Sequence, residues 1–284
     1  MIREQQPAIS VFSIGMMGMG VVSVVSRDFA FGWQPVPEFH PGCEALAVAC
    51  GLFMIAAGAA LLFKAGAAKA SRALLPFLLA WFCLKIPAVV LAPQIEGVWI
   101  GFGEIGMLLA GGWVLFARLS GLANTRFLGP LTGARGVRGA QILFGLSTIP
   151  VGLGHLFYTP ISATLIPAWM PFRYWLAFGT GVAQIACGLA IALSLFARAA
   201  ALVETALLAI FAFFVWGPNT WFATAPKMAG TPAGWRFPLT AFLITWVIGG
   251  AAWLIADSAS NRLPFARSPE RLPQRDASLS GAER

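Results

Sequence analysis

One stretch of this chain is written twice. Pro37, Pro41, Ala47, Gly51, Ile55, Ala56, Gly58 and Ala60 meet Pro167, Pro171, Ala177, Gly181, Ile185, Ala186, Gly188 and Ala190, all at an offset of 130 and without a gap. Identities this dense at one offset are the mark of an internal duplication, and a duplicated chain is confined to two copies of one arrangement of elements. Extended backwards, the offset pairs Gly15 with Gly145 and Val21 with Val151. Each half is therefore expected to carry the same helices in the same order.

Composition says what kind of helices these are. Hydrophobic residues make up 58% of the chain and charged ones 11%. Apolar stretches near 10–26, 42–63, 73–92, 98–117, 139–158, 174–197, 199–217 and 238–256 are each long enough to cross a hydrocarbon core about 30 Å thick. The expectation is an all-α membrane protein with eight transmembrane helices arranged as two tandem four-helix bundles. Residues 1–118 form the first repeat, 119–136 a cytoplasmic linker, 137–256 the second repeat and 257–284 a disordered tail rich in Arg, Pro and Ser. A soluble helical protein would need polar faces that 42–63 and 174–197 lack. No A-x-A site follows the first stretch, and its counterpart at 139–158 is internal, so it reads as a retained span and not a signal peptide.

Charge placement predicts the orientation. Lys64, Lys69 and Arg72 follow the second span, Arg118, Arg126, Arg135 and Arg138 surround the linker, and Arg198 follows the sixth span. The cation excess places these connections, and with them both termini, in the cytoplasm. The opposite connections are poorer in cations, with 218–237 (Lys227, Arg236) as the exception. The net charge of +8 follows from this topology and the tail. It is no nucleic-acid signal, because the cations are scattered with no aromatic-interleaved groove.

Glycines seven apart, Gly51 and Gly58 or Gly181 and Gly188, fall on one helix face and let neighbouring helices approach closely. The proline pairs Pro37/Pro41 and Pro167/Pro171 exclude regular helix and predict rigid outer caps, carrying Phe39 and Trp169 at the interface. The second half, with Gly145, Gly154-His155-Leu156-Phe157, Ile166-Pro167-Ala168-Trp169-Met170-Pro171, and Gly179 to Gly188 including Gln184, resembles the DoxX-like four-helix membrane proteins. The resemblance covers roughly 140–215 well and the first half weakly. It implies a small bacterial inner-membrane protein, with quinone-linked sulfur oxidation or redox complexes as the context of some members. Where members often carry Glu in G-x-x-E-x-x-x-G, this chain has Gln184, and Met54 in the first half.

No catalytic machinery of a soluble type is legible. Cys43, Cys50, Cys83 and Cys187 include no C-x-x-C, and His40 and His155 have no neighbouring ligand, which argues against disulfide, metal and haem sites. No Walker loop, nucleophile elbow or dinucleotide fingerprint is present. Two groups of intramembrane polar residues remain. Lys85 and Glu104 flank the 93–98 turn at matching depth, about 10 Å below the surface of a helical hairpin, and are expected to meet as a structural ion pair that fixes the hairpin, with a proton or ligand site as the alternative. His155, Tyr158, Trp169 and Arg173 with Gln184 deeper are either an interfacial aromatic belt or a pocket for a quinone-like amphiphile. Their first-half counterparts at the same offset are Val25, Asp28, Phe39, Cys43 and Met54, so ligand chemistry is expected only in the second half.

Three functions follow as expectations. The first is a non-catalytic membrane subunit or anchor of a redox-associated complex, with the lipid bilayer and membrane-complex proteins as partners. The second is a quinone or small-amphiphile binder; no cofactor is otherwise evident. The third is a transporter, which an even number of spans per repeat and the lack of matched broken spans disfavour.

Overall fold

The computed structural model describes residues 7–34, 36, 42–122, 127–222 and 234–259. In chain order these form α1 (Pro7–Ser26), α2 (Cys43–Leu61), α3 (Lys64–Leu91), α4 (Glu96–Leu119), α5 (Gly133–Phe157), short α6 (Thr159–Leu165), α7 (Arg173–Leu193), α8 (Ala197–Ile210), short α9 (Gly217–Trp221) and α10 (Arg236–Ser258). A π-helical segment, Phe211–Trp216, joins α8 to α9. Among the described residues eight helices are long and apolar enough to cross a membrane, with α8 to α9 counted as one. The protein is thus an eight-helix membrane protein with no strand among the described residues.

Several boundaries differ from expectation. Helix α3 starts at Lys64, so Lys64, Lys69 and Arg72 lie on its first turns and not in a loop. Helix α5 starts at Gly133, inside the expected linker, because a 3-10 turn at Gly129–Leu131 already ends the connection. Helix α10 runs to Ser258, and the expected disordered tail from 260 onward lies outside the described residues, as do the first proline cap at 37–41, His40, Arg126 and Lys227.

Close helix contact is built on glycine. Helix α1 packs on α2 where Gly20 faces the Gly51 carbonyl, and α5 packs on α7 where Gly152 faces the Gly181 carbonyl; a Cβ at Gly20 or Gly152 would lie 2.5 or 2.8 Å from those oxygens. One level away, Gly58 faces the Ser13 carbonyl and Gly188 the Gly145 carbonyl, at 2.8 and 2.6 Å from the corresponding Cβ positions. With backbones this near, small residues give dispersion contacts that lipid cannot match. The two sets of partners fix the register between the halves. Helices α2 and α7 correspond at an offset of 130, but α1 and α5 correspond at 132, since Gly20 and Ser13 answer to Gly152 and Gly145. The expected pairing of Gly15 with Gly145 does not hold: Gly15 faces Val247 and Trp246 on α10. The connection from α1 to α2 is therefore two residues longer than that from α5 to α7.

The two groups of four helices are joined along their length. Helix α4 lies on α5, α10 lies on α1, and α10 also touches α4. At that last crossing Gly111 faces the Ala251 methyl, and beside it Gly250 faces the backbone of Phe12. The buried apolar cluster runs through both halves, from Phe12, Met16 and Leu78 to Phe144, Ile191 and Ile248.

Arginines tie helix ends at the predicted cytoplasmic face. Arg72 on α3 donates to the Ser120 carbonyl that ends α4, and Arg138 on α5 donates to the Ile191 and Ala192 carbonyls that end α7, at 3.3 and 2.5 Å. Final carbonyls of a helix have no partner within it and carry the negative end of its dipole. A guanidinium answers both needs with several donors in one plane.

Candidate functional site

In the second half, Gln184 on α7 and Glu204 on α8 face each other in the bundle interior. The Gln184 Nε2 donates to Glu204 Oε1 at 3.1 Å, and both side chains are fully buried. Gln184 Oε1 and Glu204 Oε2 have no protein partner. At the register set by α7 and by the Leu78–Gly112 and Leu208–Gly249 contacts, their first-half counterparts are Met54 and Leu74, which are fully buried as well. One half thus holds an amide and a carboxyl where the other holds two apolar side chains of similar size. A carboxyl group with an unsatisfied oxygen in a bilayer core is costly, and such groups mark function by default.

His155 on α5 is the next polar group. Its Cβ packs against Gly181, a turn from Gln184 on α7, and its ring stacks on Phe211 with centroids 5.2 Å apart and planes at 18°. His155 Nδ1 is buried without a partner. The first-half side chain against Gly51 is Ser23, so Ser23, and not Val25, stands at the place of His155. Phe211 opens the π-helical segment, and the cause of that segment lies just beyond it. Pro218 brings no N–H to the preceding turn, and Asn219 Nδ2 then supplies donors to the Val215 carbonyl at 2.8 Å and to the Leu165 carbonyl at 3.0 Å. Single π turns of this kind are frequent at functional sites.

The five sequence candidates do not assemble into one outer pocket. Gln184 and His155 lie inside the bundle, while Tyr158 turns to α4, where its hydroxyl accepts the Gly97 N–H at 3.3 Å. Trp169 is 70% exposed, on the turn between α6 and α7. Arg173 lies with Thr164, Phe172 and Tyr174 around an open surface depression of about 350 Å³. The reason is position along the helix: Arg173 is the first residue of α7 and exposed at its end, whereas Gln184 lies about three turns further in, on the face that Gly181 and Gly188 press into the core. Trp169, Phe172 and Trp175 are exposed aromatics at that end of the bundle, as an interfacial belt requires.

Lys85 and Glu104 are brought to the same place but do not close an ion pair. Among the described residues the salt bridge formed is Arg236 to Asp28 at 2.9 Å, which links the start of α10 to the end of α1. The turn that follows α1 folds inward over Lys85 and Glu104: Phe29 and Trp33 pack edge-on against Trp81, and Gly32 lies against both α4 and the Glu104 carboxylate.

Sequence reasoning named Gln184 but missed Glu204, Phe211, Asn219 and Trp33. Glu204 was the findable one, because it is an acidic residue inside a span, twenty residues from Gln184, where the offset of 130 pairs it with Leu74. No group of three or more His, Cys, Asp or Glu side chains able to hold a metal exists among the described residues.

A family model described as Domain of unknown function (DUF8561) matches residues 144–251, a stretch that contains His155, Gln184, Glu204 and the π-helical segment. No curated protein and no solved structure matches the chain.

Proposed function

We propose that this chain is a DoxX-like membrane subunit of a redox-associated complex in the bacterial inner membrane, built by tandem duplication with both termini cytoplasmic, and that its second half binds a small amphiphile of the quinone or quinol class. The duplication is supported by the recurrence of glycine contacts in α1–α2 and α5–α7. The observation that carries the binding reading is the Gln184–Glu204 pair, whose two spare oxygens are buried without partners. Acceptors of this kind suit a ligand that brings hydroxyl groups, as a quinol does, and the His155–Phe211 stack lines the same helices with flat apolar surface. Arg173, on the outer surface, takes no part.

The test is a tryptophan-quenching titration of the purified protein with a short-chain ubiquinone and its quinol. Wild type is expected to show saturable quenching, weakened tenfold or more in Glu204→Leu, which is about 1.4 kcal/mol or more, and unchanged in Arg173→Met. No saturable quenching in wild type removes the ligand and leaves the anchor.

Orientation is tested separately. Phe127, between α4 and α5, and Trp169, between α6 and α7, are exposed at opposite ends of the bundle. In a background without native cysteines, Trp169→Cys is expected to react with an impermeant thiol reagent on intact cells and Phe127→Cys only after lysis. The reverse pattern inverts the topology.

A further inference from the structure

At the start of α7 the second half departs from the first in a way that packing does not explain. Phe172, Arg173 and Tyr174 line an open depression of about 350 Å³ together with Ala163 and Thr164 of α6. Phe172 is held at φ 56°, in the left-handed region, where the first half has Gly42 at φ 85°. A phenylalanine kept where the repeat uses glycine costs conformational energy. Its side chain is 77% exposed, so burial does not account for its retention. Arg173 and Tyr174 stand where the first half has Cys43 and Glu44 at the offset of 130. The exchange turns an acidic helix start into a basic one. Helix α2 has Glu44 in its first turn, whereas α7 has no acidic residue there and no side chain capping its N–H groups. Arg173 enters no salt bridge among the described residues.

We propose that this depression binds the phosphate of one anionic phospholipid, with the Arg173 guanidinium and the Tyr174 hydroxyl as donors and the Phe172 ring against the glycerol backbone. Its level in the bilayer supports this occupant. Trp169 and Trp175, close to it in the chain, are exposed, and aromatics of that kind sit at the depth of the headgroups. A guanidinium matches phosphate oxygens with two parallel donors, and the positive end of α7 adds to the same field. Charge balance selects an anionic lipid over a zwitterionic one. No acidic side chain lines the depression, so a lipid ammonium would find no carboxylate, while one net negative charge balances Arg173. The proposal is independent of the quinone reading, in which Arg173 takes no part.

The test uses the full protein in a mild detergent, mixed with equimolar dioleoyl phosphatidylglycerol and dioleoyl phosphatidylcholine, with lipid adducts resolved by native mass spectrometry. A single phosphatidylglycerol adduct is expected at severalfold higher occupancy than phosphatidylcholine. Its apparent affinity should fall tenfold or more in Arg173→Met and in Tyr174→Glu, the second of which brings in the acid of the first half. It should not change in Arg198→Met, which removes an exposed arginine in the first turn of α8. Arg173 and Tyr174 are exposed, so both variants should fold, which thermal unfolding checks, and the wild-type comparison of the two lipids also decides alone. Glycerol phosphate in tenfold excess should not displace the lipid. Equal occupancy by the two lipids, an undiminished adduct in Arg173→Met or an equal loss in Arg198→Met overturns the proposal. Displacement by glycerol phosphate overturns it as well, by making a soluble phosphate the occupant.

Discussion

Replacing Gln184 with Met and Glu204 with Leu together is expected to leave the protein at least as stable as wild type, while either change alone destabilises it by roughly 1–3 kcal/mol or more. Gln184→Met takes the only protein donor from a fully buried carboxyl group, and Glu204→Leu leaves a fully buried amide without its acceptor. The double variant removes both polar groups and recreates the pair that the first half already packs, Met54 and Leu74, in an equivalent frame. Thermal unfolding of all four proteins in one detergent gives the coupling directly. Simple additivity of the two single effects would show that the amide and the carboxyl group do not depend on each other. The same double variant should lose quinone quenching, so that added stability and lost binding appear in one protein, as expected where a functional site is held at a cost to the fold.

A leucine at Gly181 is expected to cost at the upper end of the roughly 1–3 kcal/mol typical of overpacking, or to prevent assembly of the second half. The Cβ of any residue there would lie 2.7 Å from the Gly152 carbonyl oxygen and 2.9 Å from the His155 Cβ. A carbonyl oxygen cannot be moved by a rotamer change, so α5 and α7 must separate. At Gly179, only one turn-fraction away, nothing lies within 4 Å of a built Cβ. Gly179→Leu should be close to neutral by the same thermal assay, and equal effects at the two positions would refute the contact.

The eight spans were legible because bilayer thickness imposes length and apolarity on every one of them, whatever its partners. Glycine spacing was legible for a related reason: residues seven apart share a face in any helix. The register between α1 and α5 was not, since two residues added in a connection leave no trace in composition, and the helix contacts reveal them: Gly20 and Gly152, Ser13 and Gly145, Ser23 and His155 meet equivalent glycines. Gln184 was visible as a polar residue in an apolar span, but its direction was not. Hydropathy marks a span but not what packs on it, so residues near the bundle end, Tyr158, Trp169 and Arg173, were grouped with one that lies about three turns further along α7 against α8. The Lys85–Glu104 pair failed for another reason. Depth matched, but an intervening turn, Phe29 to Gln34, folds inward by aromatic contacts with Phe77 and Trp81 that no helical period announces.

The seat of α10 has a consequence for how the chain is made. The last spanning helix contacts both α1 and α4, and Gly250 reaches the Phe12 backbone there. During synthesis α1 enters the bilayer well before α10, so α1 waits with this face uncovered until α10 has emerged from the ribosome. Until then Phe12, Gly15 and Gly18, which meet Gly250, Val247 and Leu243 of α10 in the finished protein, confront lipid or the insertion machinery. The first four helices are therefore not a self-sufficient folding unit, and quality control has a late, identifiable event to watch: the arrival of α10 between α1 and α4.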